Sequence, residues 1–302
     1  MQNNAARGIL FLCVGLFIFS LQDAIIKQVS GGYALTQVVC IRSLVGVPLL
    51  LALVQREAGW RALLTAGMGG LVLRALIMFG AYTAYYMAFP ALPLADAVAL
   101  YFTVPLFMTA LAGPVLHEHV GWKVWVAVVV GFGGVLVMLQ PGSGLFEPAA
   151  FLSLLAAALY GVSMLMARKM GTSQAASVMA FYQNGVFLLG SAAAAAILYL
   201  LDIQTAEHPS VKFLVRPWVM PTMKDTLLIA SCGVIAAMGT LFLTNAYRIA
   251  KTSIVTPFEY TGMLWAPLWG YLFFAEVPKL TTLMGAAVIG VAGLMAMRVS
   301  KH

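Results

Sequence analysis

Charged side chains embedded in apolar sequence are the residues of this chain best placed to do chemistry. Glu259 stands two residues after Pro257 in the run Thr256-Pro-Phe-Glu-Tyr-Thr-Gly-Met-Leu-Trp265. Asp23, Arg42 and Arg74 lie inside three other apolar runs, and Asp96 stands near the start of a further one. A charge at the centre of a hydrocarbon layer costs roughly 2.5–3.5 kcal/mol on insertion scales, so each needs a partner or a wet cavity. At helical spacing Thr256, Glu259, Tyr260, Met263 and Pro267 share one face. A carboxylate beside aromatic rings suits an ammonium or sulfonium group, through charge and cation–π attraction. In so dry a setting it also holds a proton readily, which makes Glu259 the proton-coupling candidate as well as a substrate ligand. The structural alternative is a pairing with Arg74 or Arg42.

Arg74 heads a helical face with Met78, Tyr82, Tyr85 and Phe89. A guanidinium above tyrosines can hold a substrate carboxylate bidentately. It can equally lock onto Asp23 or Glu259, or snorkel to the membrane boundary. Arg42 can contact substrate or neutralise Asp23 on a neighbouring helix. Asp23 shares a face with Phe19, Ser20 and Lys27, and an Asp–Lys pair four residues apart is also a way to solvate both. The uncharged candidates are Tyr101 and Phe102, with Tyr160, Tyr182, Gln183, Asn184, Asn245 and Trp265. Tyr and Trp also gather at membrane interfaces for reasons unrelated to ligands.

Other motifs carry no chemistry. Gly131-Phe-Gly-Gly134 follows no strand and lies mid-run, where small residues serve close helix packing. There is no Walker A sequence. His117-Glu118-His119 has no further ligand nearby, so neither a metal nor a cofactor is expected. No catalytic constellation of a protease or acyltransferase is present, which argues against an intramembrane enzyme. A channel is a distant alternative, since no filter loop is visible.

The elements that must position these side chains follow from composition. The chain has 302 residues, 62% hydrophobic and 9% charged, whereas about a quarter of a soluble domain is charged. Apolar runs predict ten helical spans, near 8–28, 34–54, 66–89, 94–115, 122–140, 148–169, 176–200, 226–247, 253–274 and 281–298. The alternating polarity of a membrane β-barrel is absent. No small-residue cleavage site follows the first run, so it is expected to be retained. The net charge of +7 comes from basic residues scattered singly at the ends of runs, a topology signal and not a nucleic-acid patch. Placing both termini in the cytoplasm puts ten Lys and Arg inside and five outside. The one long polar connection, residues 201–225, is then extracytoplasmic. Cys13, Cys40 and Cys232 all fall in spans, as buried small hydrophobes do.

Residues 88–138 and 246–297 read as two copies of one segment. Laying Glu118 on Glu276 also lays Pro93 on Lys251, and puts Tyr101 and Phe102 opposite Glu259 and Tyr260. Five spans per copy is odd, so the second copy, 142–302, would enter the membrane from the side opposite to the first, 1–141. Such inverted repeats support outward-open and inward-open states of one fold.

Ten spans in two halves, each closing with an interrupted span, a helix-end Glu and a Gly-rich last span, resemble the drug/metabolite transporter superfamily of EamA type. The segment from Thr256 through Trp265-Ala-Pro267 to Gly270-Tyr-Leu-Phe-Phe-Ala-Glu276 is similar to the bacterial branch with S-adenosylmethionine and riboflavin carriers. The resemblance implies an all-α bacterial inner-membrane carrier with a central cavity, working as a monomer by alternating access. Its expected cargo is a small zwitterionic, amino-acid-like or S-adenosylmethionine-like metabolite, with riboflavin or an aromatic or cationic drug as the alternative. Its other partners are membrane lipid and a coupling proton or exchange substrate. The substrate-binding set is Glu259, Arg74, Tyr101, Tyr260, Tyr82, Tyr85, Phe19, Asp23, Arg42, Tyr160, Asn184, Asn245 and Trp265.

Overall fold

A peptide group in hydrocarbon must find its hydrogen bonds within the protein, and a helix supplies them within one segment. The computed structural model describes residues 2–64, 67–116, 121–140, 147–170, 174–249 and 256–299, and they contain no strand. The α-helices there are α1 (Gln2–Val29), α2 (Leu35–Glu57), α3 (Met68–Ala88), α4 (Leu94–Tyr101), α5 (Val104–Leu116) and α6 (Trp122–Leu139). They continue with α7 (Ala150–Met170), α8 (Ala176–Leu200), α9 (Pro209–Val215), α10 (Met223–Ile249), α11 (Gly262–Phe274) and α12 (Leu280–Val299). Two 3₁₀ segments cover Trp60–Leu64 and Thr256–Thr261. Six helices, α1, α2, α3, α7, α8 and α10, are long and apolar enough to cross a membrane, and shorter apolar stretches lie in α4–α5, α6 and α12. The chain is a multi-pass membrane protein.

The spans expected at 94–115 and 253–274 are not continuous α-helices. The first breaks between α4 and α5, at Phe102 and Thr103. Pro105 has no amide hydrogen, so the Tyr101 carbonyl lacks its i+4 donor there. Thr103 closes the turn instead, donating to the Leu100 carbonyl from both its amide (3.2 Å) and its hydroxyl (2.7 Å). In the second, the 3₁₀ segment gives way to α11 at Gly262. Val104 and Gly262 stand in the same register as Glu118 and Glu276, and so do the first residues of α6 and α12, Trp122 and Leu280. Glu118 and its flanking histidines lie outside the described residues.

Contacts group the chain into two compact units, Met1–Phe79 with Thr172–Trp265 and Gly80–Gly171 with Ala266–His302. Each draws on both sequence halves.

In the first unit α1 packs on α10, and α2 on α8 and α10. Glycines permit the approach. A Cβ at Gly233 of α10 would stand 2.5 Å from the Arg42 carbonyl and 2.9 Å from Val45 Cβ. A Cβ at Gly239 would stand 2.6 Å from the Phe19 ring. The start of α8 is tied to its surroundings by polar groups: Glu57 accepts from the Ser177 amide (3.0 Å), and the Tyr182 hydroxyl donates to the Leu63 carbonyl (2.7 Å). A carboxylate at a helix N-terminus is favoured by the free amides there.

In the second unit α6 packs along α12, and α4 and α5 pack on α7. A Cβ at Gly134 would stand 2.8 Å from the Gly285 carbonyl, and one at Gly285 would stand 2.6 Å from the Gly134 carbonyl. These helices touch backbone to backbone, as small residues allow in membranes. Glu276 accepts from the Leu94 amide at 2.8 Å, capping α4. Gly270 makes room for that carboxylate, since a Cβ there would stand 3.3 Å from Glu276 Oε2. Within the first turn of α4, Asp96 accepts from the Thr282 hydroxyl at 2.6 Å. The helix-end glutamate and Asp96 thus both fasten the start of α4.

Candidate functional site

The first unit holds the charged candidates. Arg42 on α2 is 5% exposed and Arg74 on α3 is 6% exposed, far below the usual exposure of arginine. Arg42 Nη1 donates to the side-chain carbonyl of buried Gln22 on α1 at 3.4 Å. Its guanidinium also stands 5.4 Å from the centre of the Phe187 ring of α8, within cation–π range. Asp23, next to Gln22 on α1, is half-buried, and Gly233 of α10 lies against the Arg42 carbonyl. Four helices, α1, α2, α8 and α10, therefore converge on one buried polar cluster. Gln22 and Phe187 were not singled out from sequence. Gln22 had a signal, an amide next to Asp23 in an apolar run, whereas Phe187 had none.

Asn184 lies one turn from Phe187, and its amide donates to the Ser43 carbonyl at 2.8 Å while packing against Gly46. Its amide group is thereby committed to holding α8 on α2. Phe19 sits half-buried beside Gly239. Asn245 on α10 is exposed.

The 3₁₀ segment Thr256–Thr261 carries Glu259 and Tyr260, both half-buried. This segment packs on α1. Cys13 Sγ and Thr261 Oγ1 are 3.8 Å apart, and the Trp265 ring meets Phe17 edge-on with centroids 4.9 Å apart. Because a 3₁₀ turn advances three residues, Glu259 and Tyr260 point differently from their places on a regular α-helix.

The second unit holds the rings. Tyr101, the last residue of α4, has its ring centre 4.5 Å from Tyr85 of α3 and 5.6 Å from Tyr160 of α7. Tyr85 meets Tyr86 at 5.0 Å and Phe89 at 4.8 Å, and Tyr82 meets Tyr86 at 4.3 Å. Tyr85, Tyr86 and Phe89 are buried, while Tyr82, Tyr101, Phe102 and Tyr160 keep part of their surface open. Four sequence candidates, Tyr82, Tyr85, Tyr101 and Tyr160, thus belong to one aromatic wall built from three helices. Tyr86, which completes it, was missed because it falls off the helical face drawn from Arg74. Edge and tilted ring pairs are worth about 0.5–1.5 kcal/mol each beyond area burial. The open ring faces suit an aromatic or cationic group.

Comparison with known proteins agrees with this architecture. The EamA-like transporter family model matches residues 6–140. The pseudopaline exporter CntI of Pseudomonas aeruginosa is 27% identical over 97% of each chain. A riboflavin transporter of Vibrio cholerae is 27% identical over 96% of this chain and 92% of its own. An S-adenosylmethionine uptake transporter of Rickettsia prowazekii is 26% identical over 72% of this chain and 68% of its own. A solved crystal structure superposes with a TM-score of 0.63 at 14% identity, covering 98% of both chains, a likeness of fold alone. Residues 6–140 thus carry an EamA-type transporter domain, and the similar proteins that run beyond it are named as metabolite transporters. The chain is a bacterial-type membrane transporter of small metabolites and not an enzyme.

Proposed function

We propose that this protein is a secondary active transporter of small organic metabolites bearing both charge signs, such as an amino-acid-like or sulfonium compound. The observation that carries this reading is the pair of buried arginines in the first unit, Arg42 and Arg74, in a unit that also carries Glu259. Buried charges are costly in a membrane and are characteristic of substrate and ion pathways. In this reading Arg74 holds the substrate carboxylate, Glu259 holds its cationic group, and Arg42 with Asp23 tunes the polar cluster. Phe19, Tyr260 and Trp265 supply apolar contact, Asn245 supplies an amide, and Asn184 holds α8 on α2 beside them. Ten spans in inverted copies, 1–141 and 142–302, exchange outward-open and inward-open states in the inner membrane, with both termini cytoplasmic. The monomer suffices, and a proton on Glu259 or a counter-substrate drives the cycle.

A second reading, a flavin-like or other aromatic cargo, is favoured by the tyrosine wall of the second unit. Proteoliposome counterflow separates the two. The protein is loaded in turn with amino acids, S-adenosylmethionine and riboflavin, and flux is followed in both directions. Saturable flux of zwitterions supports the first reading. Flux of riboflavin without zwitterions replaces it with the second, and linear, unsaturable flux of any solute rejects a carrier.

A further inference from the structure

The connection between α8 and α10 reads as polar sequence, yet its last part is built for a dry setting. Several of its backbone and polar side-chain groups are bonded to the α1–α2 turn and the first turn of α2. Gln37, itself buried, grips Val219 from both sides, donating to its carbonyl at 2.6 Å and accepting from its amide at 3.3 Å. The Trp218 indole donates to the Thr36 hydroxyl at 2.9 Å, and Arg216 donates to the Ser30 carbonyl at 3.1 Å. The Tyr33 hydroxyl accepts from the Thr222 amide at 3.3 Å and donates to Asp225 at 2.6 Å. Irregular backbone is tolerated near hydrocarbon only when its groups are satisfied within the protein.

The apolar side chains of the same stretch face outward. Trp218 and Val219 are 46% exposed, Met223 is 77% exposed and Met220 is 96% exposed. Water is a poor neighbour for such a consecutive set. Leu227, one turn beyond Met223 on membrane-spanning α10, is 63% exposed and continues the same surface. Lys212 and Lys224 flank the stretch and are exposed, as cations near lipid phosphates would be.

We propose that residues 216–223 form a wedge seated in the lipid bilayer at the headgroup–acyl boundary, with Trp218, Val219, Met220 and Met223 immersed and Lys212 and Lys224 on phosphates. The α1–α2 turn holds the wedge through Gln37, Thr36, Tyr33 and Ser30. The lipid surface is thereby coupled mechanically to the helices that carry Gln22, Asp23 and Arg42.

The test uses the full chain in phosphatidylcholine–phosphatidylglycerol vesicles. A nitroxide is placed at Met220→Cys after Cys13, Cys40 and Cys232 are replaced by Ala, with Thr205→Cys, an exposed site of the same connection, as control. Collision with oxygen, which concentrates in lipid, is compared with collision with a water-soluble nickel chelate. The oxygen-to-nickel ratio is expected to be several-fold higher at 220 than at 205. Equal ratios place the wedge in water and overturn the proposal, and protection from both agents means that protein covers it, which also overturns it. Trp218→Phe in the chain with its native cysteines is a second measurement: quenching of tryptophan emission by lipids brominated high on the acyl chain falls if Trp218 is immersed. Quenching unchanged by the substitution counts against immersion.

Discussion

The two places where matched helices break share a backbone event and differ in side chain. In the second unit α4 stops at Tyr101, whose ring joins those of Tyr85 and Tyr160. In the first unit the position in the same register is Glu259, on a 3₁₀ segment packed against α1. The helices that follow, α5 and α11, start in the same register. What the two places share is an interruption of regular α-helix, before Val104 in one and before Gly262 in the other. The side chain at the interruption differs: a carboxylate in the unit that also holds the buried Arg42 and Arg74, and a tyrosine in a wall of rings in the other.

That contrast can be broken most forcefully at Glu259. Glu259→Gln keeps shape and removes charge, and a loss of about 100-fold in transport, or about 2.7 kcal/mol, is expected together with loss of pH dependence. Unchanged pH dependence in proteoliposome uptake takes the proton-coupling role from Glu259.

The close glycines give the next largest effect and sharpen the comparison. Gly285→Ala sets a Cβ against the Gly134 carbonyl, and Gly233→Ala sets one against the Arg42 carbonyl. Overpacking of this kind costs roughly 1–3 kcal/mol, read as a lower Tm in detergent. Both variants lose stability, but only Gly233→Ala, which shifts Arg42, is expected to change KM in the fraction that remains folded. Equal KM values for the two would separate the Arg42 cluster from substrate.

At Tyr101 the ring itself is tested. Tyr101→Ala removes contacts worth about 0.5–1.5 kcal/mol, so KM should rise by roughly 2–10-fold, while Tyr101→Phe stays near the parent. A matching loss in Tyr101→Phe would assign the role to the hydroxyl instead. The smallest effect is expected at Glu276→Gln. The amide oxygen still accepts from Leu94, and the charge–dipole part, about 0.3–1 kcal/mol, is lost. Thermal unfolding at low ionic strength reads it, and transport should not change.

Much of the architecture was legible because it follows from short-range rules. Apolar run lengths located the long helices, and the register of Glu118 and Glu276 anticipated matched helix starts. Intramembrane charge drew attention to Arg42 and Arg74, which are indeed buried. Partners were less legible. The pairing considered for Arg42 was Asp23, and the structure also gives it Gln22 and Phe187, one amide and one ring with no charge to announce them. Asp96 looked like an intramembrane charge with a role to fill, and the Thr282 hydroxyl and the start of α4 occupy it. Asn184 looked like a ligand and is a helix tie.

The amino-acid sequence by itself determined that this chain lives in a membrane as helices, because hydrocarbon admits few other ways to satisfy a backbone. It also offered a register, Glu118 on Glu276, that sets Tyr101 opposite Glu259. Only the tertiary structure decided how those copies are shared out, since each compact unit takes segments from both halves. It also decided which polar groups are already committed. Hydrogen bonds such as those of Gln37 with Val219 or Glu276 with Leu94 join residues far apart in the chain. Periodicity reports which face a residue occupies, whereas a bond of that kind depends on what another segment brings to that face.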